Sequence, residues 1–181
     1  MAQRIDLLIE VYEKVINEPW TSRLSGQERI WFLVYDPAEQ RKVDLHLGDF
    51  ENATLKAGKK WKTISFKECF PIWMSNHEYK ISYFRKPEYI VDQLEASFIP
   101  FTIDFLNKKL NETNPDEDTL IALKDVSSIF GFARLSEILK CINNSFKGRI
   151  LIFFPGEFEK NHYRLLDARD GWDYLARPIT L

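Results

Sequence analysis

The run that most constrains this chain is Arg149 to Phe154, RILIFF, stopped at once by Pro155-Gly156. Apolar residues that follow one another without alternation leave no face for water. The run therefore predicts a strand buried on both faces and ending at a polar rim, which places it at the centre of a sheet. Beyond it lie Arg164, Asp167, Arg169, Asp170, Trp172, Asp173 and Tyr174, a mixture of charges and aromatic rings denser than elsewhere in the chain. If the protein has a working surface, this is the first place to look.

Five other segments carry strand signals. Arg29 to Tyr35 (RIWFLVY) reads as a second buried strand ended by Asp36-Pro37, Trp61 to Phe66 as a third and Thr119 to Lys124 (TLIALK) as a fourth. Tyr163 to Leu166 and Tyr174 to Ala176 are short candidates. Helical spacing separates them. Ile5, Leu8, Ile9, Tyr12, Val15 and Ile16 predict an amphipathic helix over Arg4 to Ile16, and Ala38 to Ala57 reads as helix broken near Gly48. Phe70 to Met74 suggests a short helix. Pro87 opens a long crossover helix to about Leu110, kinked at Pro100, and Ala133 to Asn143 is another helix.

Alternating strands and helices predict an α/β domain in three layers, a mainly parallel sheet with helices on both faces. That architecture is like the P-loop nucleotide hydrolases. In such sheets sites form beyond the carboxyl ends of the strands, so Asp36, Asp125, Pro155 and Gly156 should gather at one rim. At 181 residues the chain suits a single domain over 1–181 that buries roughly 70% of its unfolded surface without metal or disulfide. Its 25 basic and 27 acidic residues leave a formal charge of −2, which excludes a global field for nucleic acid or anionic lipid. Lys56, Lys59, Lys60, Lys62 and Lys67 form the most basic region, read as a solvated helix end and strand edge or as an anion or nucleic-acid patch. Cys69 and Cys141 stand far apart without metal-site spacing, which fits reduced, buried thiols in a reducing compartment. The N-terminus lacks a secretory apolar core, and no window approaches a membrane span.

The enzyme motifs fail one after another. GxxxxGK[ST] is absent, and the nearest string, Ala57-Gly58-Lys59-Lys60-Trp61, lacks the first glycine and the hydroxyl that a phosphate loop needs. GxGxxG and GxSxG are missing too. Asp36 and Asp125 could pair on a metal, although an aspartate after a strand more often caps the next turn. His46, His77 and His162 are scattered. The Arg164 to Tyr174 group alternates charge sign and reads equally as surface ion pairs or as a protein interface. Arg134 opens a helix, a poor place for positive charge, so an acidic neighbour such as Asp125 or Asp167 is expected to compensate it.

Two segments, LIALKDVSSIFGFARLSEIL (120–139) and GRILIFFPGEFEKNHYRLLDARDGWDYLARPI (148–179), together with RIWFLVYDP and the helix-strand unit after it, resemble the BrxB component of BREX bacteriophage exclusion systems over nearly the whole chain. Phe130, Phe132, Arg134, Ser136 and Leu139, then Phe154-Pro155-Gly156 and RLLDARDGWDYLA, carry the likeness. The family often has glycine where Ser127 stands and proline where Gly131 stands, which bears on the turn before the Ala133 helix. The resemblance implies a cytoplasmic bacterial defence protein, working beside a PglZ-type phosphatase-superfamily protein, a large ATPase and a DNA methyltransferase, with no established catalysis. On it rests the expectation of a non-enzymatic assembly or adaptor protein without cofactor or metal. Such a protein would bind its partner through Arg164, Asp167, Arg169, Asp170, Trp172 and Tyr174, and meet DNA only indirectly through the complex. A homo-oligomer stays open. So do two other classes: a nucleotide- or nucleic-acid-binding module on a degenerate P-loop-like sheet, and a metal-dependent nuclease.

Overall fold

A computed structural model describes residues 4–21, 24, 27–142, 146–159, 162–165 and 176–181. In chain order the elements are α1 (Arg4–Ile16), β1 (Ile30–Tyr35), α2 (Gln40–Leu45), α3 (Leu47–Lys56), β2 (Lys60–Ser65), α4 (Cys69–Asn76), α5 (Lys80–Arg85), α6 (Val91–Gln93), α7 (Ile99–Thr113), β3 (Thr119–Lys124), α8 (Leu135–Lys140), β4 (Arg149–Glu159), β5 (His162–Leu165) and β6 (Arg177–Ile179). Strands β2-β3-β4-β1-β6 lie side by side in that order and all pair in parallel. The expected α/β fold with a mainly parallel central sheet and helices on both faces is what the chain adopts.

The pleat sorts successive residues to opposite sides, and each side has its own core. Trp31, Leu33, Tyr35, Leu151 and Phe153 face α1 and α3, while Phe32, Val34, Ile150, Ile152 and Phe154 face α4, α7 and α8. β1, β3 and the first half of β4 are buried on both faces, as their unbroken apolar sequences require. α1 turns Ile5, Leu8, Tyr12, Val15 and Ile16 inward, with Asp6 in its first turn and Lys14 in its last to suit the helix dipole. Its buried Tyr12 hydroxyl bonds Thr54 Oγ1 at 2.5 Å, and since that hydroxyl itself donates to the Phe50 carbonyl, the tyrosine is the donor.

Several expectations need correction or closer bounds. The central strand does not stop at Pro155-Gly156 but runs on to Glu159, leaving its parallel neighbours and forming an antiparallel hairpin with β5. A Cβ on Gly156 would stand 2.1 Å from the Arg164 carbonyl oxygen, so glycine here permits close approach of the hairpin backbone rather than a turn. The helix expected over Ala38 to Ala57 breaks at His46. The long crossover is divided by a π turn at Leu94–Phe98 just before Pro100, which takes up the irregularity proline imposes while keeping Phe98 buried. Of the candidate strand Tyr174 to Ala176 only Ala176 is among the described residues, where the last strand is Arg177–Ile179, and the helix after β3 is confined to Leu135–Lys140.

Cys69 is buried, its thiol pushed up in pKa by that burial, whereas Cys141 is exposed and not buried as expected; both are free. Gly131 sits at φ +79°, a conformation the proline ring forbids.

Candidate functional site

Because the strands are parallel, their carboxyl ends share one rim, and Asp36, Asp125, Pro155 and Gly156 stand along it. The polar groups there hold the loops in place. Asp36 accepts from the Ala38 amide at 2.9 Å and caps a short 3-10 turn. Asp125, held at φ +58°, accepts the Ser65 hydroxyl across β2 and β3. Lys124 Nζ lies 3.6 Å from Asp44. The Tyr35 hydroxyl donates to Gln40 Oε1 at 2.8 Å, and its pKa is driven upward by burial, then by the charges of Asp44 and Asp125. Next to these groups a cleft of 340 Å³ opens between β1, the β4 hairpin and β6, with Arg4, Asp36, Glu157 and Thr180 on its walls.

Asp36 and Asp125 each serve a local hydrogen bond, and among the described residues no trio of His, Cys, Asp and Glu is placed to hold a metal ion. His46 pairs with Asp49 at 2.7 Å, His77 packs against the rings of Trp73 and Tyr83, and His162 lies on β5. In the lysine-rich region Lys59 reaches Asp118 at 2.6 Å and Lys60 reaches Asp116, so two of its charges serve internal pairs. No helix among the described residues is long and apolar enough to cross a membrane.

Of the predicted partner-binding group, Arg164 is exposed on β5 opposite Glu157, a cross-strand pair of opposite charge. Asp167, Arg169, Asp170, Trp172 and Tyr174 lie outside the described residues. Their flanks are well fixed. Tyr163 stacks on Phe32 with ring centroids 4.3 Å apart, and its hydroxyl donates to the Ala176 carbonyl at 2.7 Å, so the two sides of that segment are joined at the core. Arg134 is exposed at the start of α8, where its carbonyl accepts from the Glu137 and Ile138 amides, and Ser136 is half-buried in the first turn.

A surface that sequence reasoning missed lies on the crossover from β2 to β3. α5 turns Tyr83 inward and leaves Ile81 at 56% and Phe84 at 68% exposure. Tyr79, Tyr89 and Val91 are at least half exposed in the same 79–91 segment. Lys86 sits over the Tyr89 ring, 5.2 Å from its centroid, and donates to its hydroxyl at 3.1 Å. Aromatic and aliphatic side chains interleaved with Lys80, Arg85 and Lys86 have the composition of a protein interface. The legible signal was an excess: KISYFRKPEYIV holds more large apolar residues than one inward stripe of so short a helix can use.

The chain matches no protein-family model, no curated protein and no solved structure.

Proposed function

We propose that this chain is a protein-binding assembly component without catalysis of its own. On its resemblance to BrxB, it would act in the cytoplasm with a PglZ-type protein in a BREX defence system. The observation that carries the binding role is the exposed face of Ile81, Phe84, Tyr89 and Val91. Tyr83 beneath it is buried in the main core, which limits the ordering cost of docking a partner there. The Arg164 to Tyr174 segment provides a second contact to the same assembly.

The test is association of the tagged full chain with the PglZ-type protein of the same defence cluster. Phe84→Ser with Tyr89→Ser should leave the melting temperature nearly unchanged and weaken association by about 2 kcal/mol, roughly thirtyfold. Arg169→Ala and Trp172→Ala report on the second contact in the same assay. Undiminished association by all these variants would remove both surfaces, and no association of the wild-type chain would remove the partner.

A further inference from the structure

At the amino end of the sheet, opposite the rim where the strands finish, Arg149 opens β4 with only 3% of its surface exposed. A buried guanidinium ordinarily has a carboxylate beside it, because removing a charge from water without a counter-ion costs several kcal/mol. Arg149 makes no ion pair with any described residue. One terminal nitrogen donates to the Thr21 carbonyl at 2.9 Å, the other reaches the Gly148 carbonyl at 3.4 Å, and Nε is buried with no acceptor. The flanking cation, Arg29, adds repulsion, and burial followed by that neighbour lowers the pKa of Arg149 from its usual value.

The surroundings repeat the deficit. Trp20 packs against this guanidinium, 5.0 Å from its ring centroid, and its own Nε1 is likewise buried without an acceptor. Both side chains line a cleft of 300 Å³ whose apolar walls include Trp31, Leu24 and Ala176. At the mouth, Glu18 and Arg177 neutralise each other through two hydrogen bonds of 2.5 and 2.7 Å. Glu28, exposed, also lines the cleft, but Arg149 has no ion pair among the described residues, and two buried N–H groups belong to side chains that line this pocket of small-molecule size.

We infer that this cleft binds a small molecule carrying one carboxylate on an apolar body, with Arg149 as the anchor. A carboxylate is the natural complement of the planar guanidinium and a stronger acceptor than the neutral carbonyls it now uses. A single buried charge to be met, with Glu18 and Glu28 both lining the cleft, favours a monoanion over a phosphate dianion. Since the two N–H groups are shut off from solvent, entry requires the Pro19–Thr21 segment to ease outward.

Benzoate, benzyl alcohol and phenyl phosphate, titrated into the full chain by calorimetry and by thermal melting, test the inference. Benzoate should bind and raise the melting temperature by several degrees at saturation. Benzyl alcohol and phenyl phosphate should each bind at least about tenfold more weakly. Arg149→Met should abolish the benzoate effect. Equal binding of benzyl alcohol would leave only an apolar hole, equal or tighter binding of phenyl phosphate would overturn the carboxylate, and no benzoate binding would overturn the site. Retained benzoate affinity in a folded Arg149→Met variant would overturn the anchor. Should that variant fail to fold, the three wild-type titrations decide alone.

Discussion

The two ends of the parallel sheet treat their charges differently. At the carboxyl end Asp36 meets the Ala38 amide, Asp125 meets Ser65 and Lys124 meets Asp44, so groups that look catalytic in sequence are occupied in holding loops. At the amino end β2 and β3 are also well served, with Lys60 on Asp116 and Lys59 on Asp118. Beneath β4, however, Arg149 is buried with neutral acceptors and one orphan N–H. General rules for open α/β sheets point to the carboxyl rim. Among the described residues the unmet hydrogen-bonding demand lies at the other end, and a rim rich in aspartates does not by itself mark a ligand site.

The comparison can be pressed hardest through two glycines of the central strand, Gly148 just before β4 and Gly156 within it. A Cβ on Gly148 would lie 2.1 Å from the Thr119 carbonyl oxygen and 3.0 Å from that of Asp116, at the junction of two central strands. Gly148→Ala should cost about 3 kcal/mol or more, read as a shifted urea midpoint. Gly156→Ala clashes as closely, but with the hairpin arm of β5 and with the Phe154 ring at 2.7 Å rather than with a second central strand, so it should cost less, about 1 to 3 kcal/mol. The reverse ranking would mean that the hairpin, and not the β3–β4 junction, secures the central strand.

Next in size is the contrast between Asp125 and Arg149. Asp125→Ala loses the Ser65 bond and puts alanine at φ +58°, and should destabilise by about 1 to 2 kcal/mol. Arg149→Met removes a buried charge that has no counter-ion, and should leave stability unchanged or raise it by up to about 2 kcal/mol. If Arg149→Met proves the more damaging, the guanidinium is a structural post and the difference between the two ends disappears.

The smallest effect concerns pH. Lys60, with the Thr119 hydroxyl helping, holds the exposed Asp116 carboxyl down at about 2. A folded pKa below the unfolded one contributes stability above the unfolded value and loses it as pH falls from about 4 toward about 2. The melting temperature of wild type should therefore fall through this window more than that of Asp116→Asn. Parallel curves would show that the pair contributes nothing measurable.

Much of the fold was legible because burial on both faces leaves a plain mark: TLIALK became β3 without change of bounds, and the stripe from Ile5 to Ile16 became α1. The hairpin arm of β4 was hidden because proline and glycine ordinarily mark turns, and only the approach of the Arg164 backbone shows why glycine is needed inside a strand. The 79–91 face was hidden because spacing alone does not say which of two apolar stripes turns inward. Arg149 was read as the first residue of an apolar run. Whether a charged residue finds a counter-ion is settled by which loops close over it, here the one bearing Trp20 and Thr21, and no local pattern encodes that.

The strand order has a consequence for how the molecule comes into being. β1 precedes every other described strand in chain order, yet both its neighbours, β4 and β6, are made only after β2 and β3. β2 and β3 can pair while synthesis is under way, but Ile30–Tyr35, an apolar ribbon with two bare edges, has no native strand beside it until β4 emerges. Such a segment is a template for unwanted pairing between nascent chains. α1, made just before it, is the first element able to cover a face of that ribbon during the wait, and α3 follows on the same side.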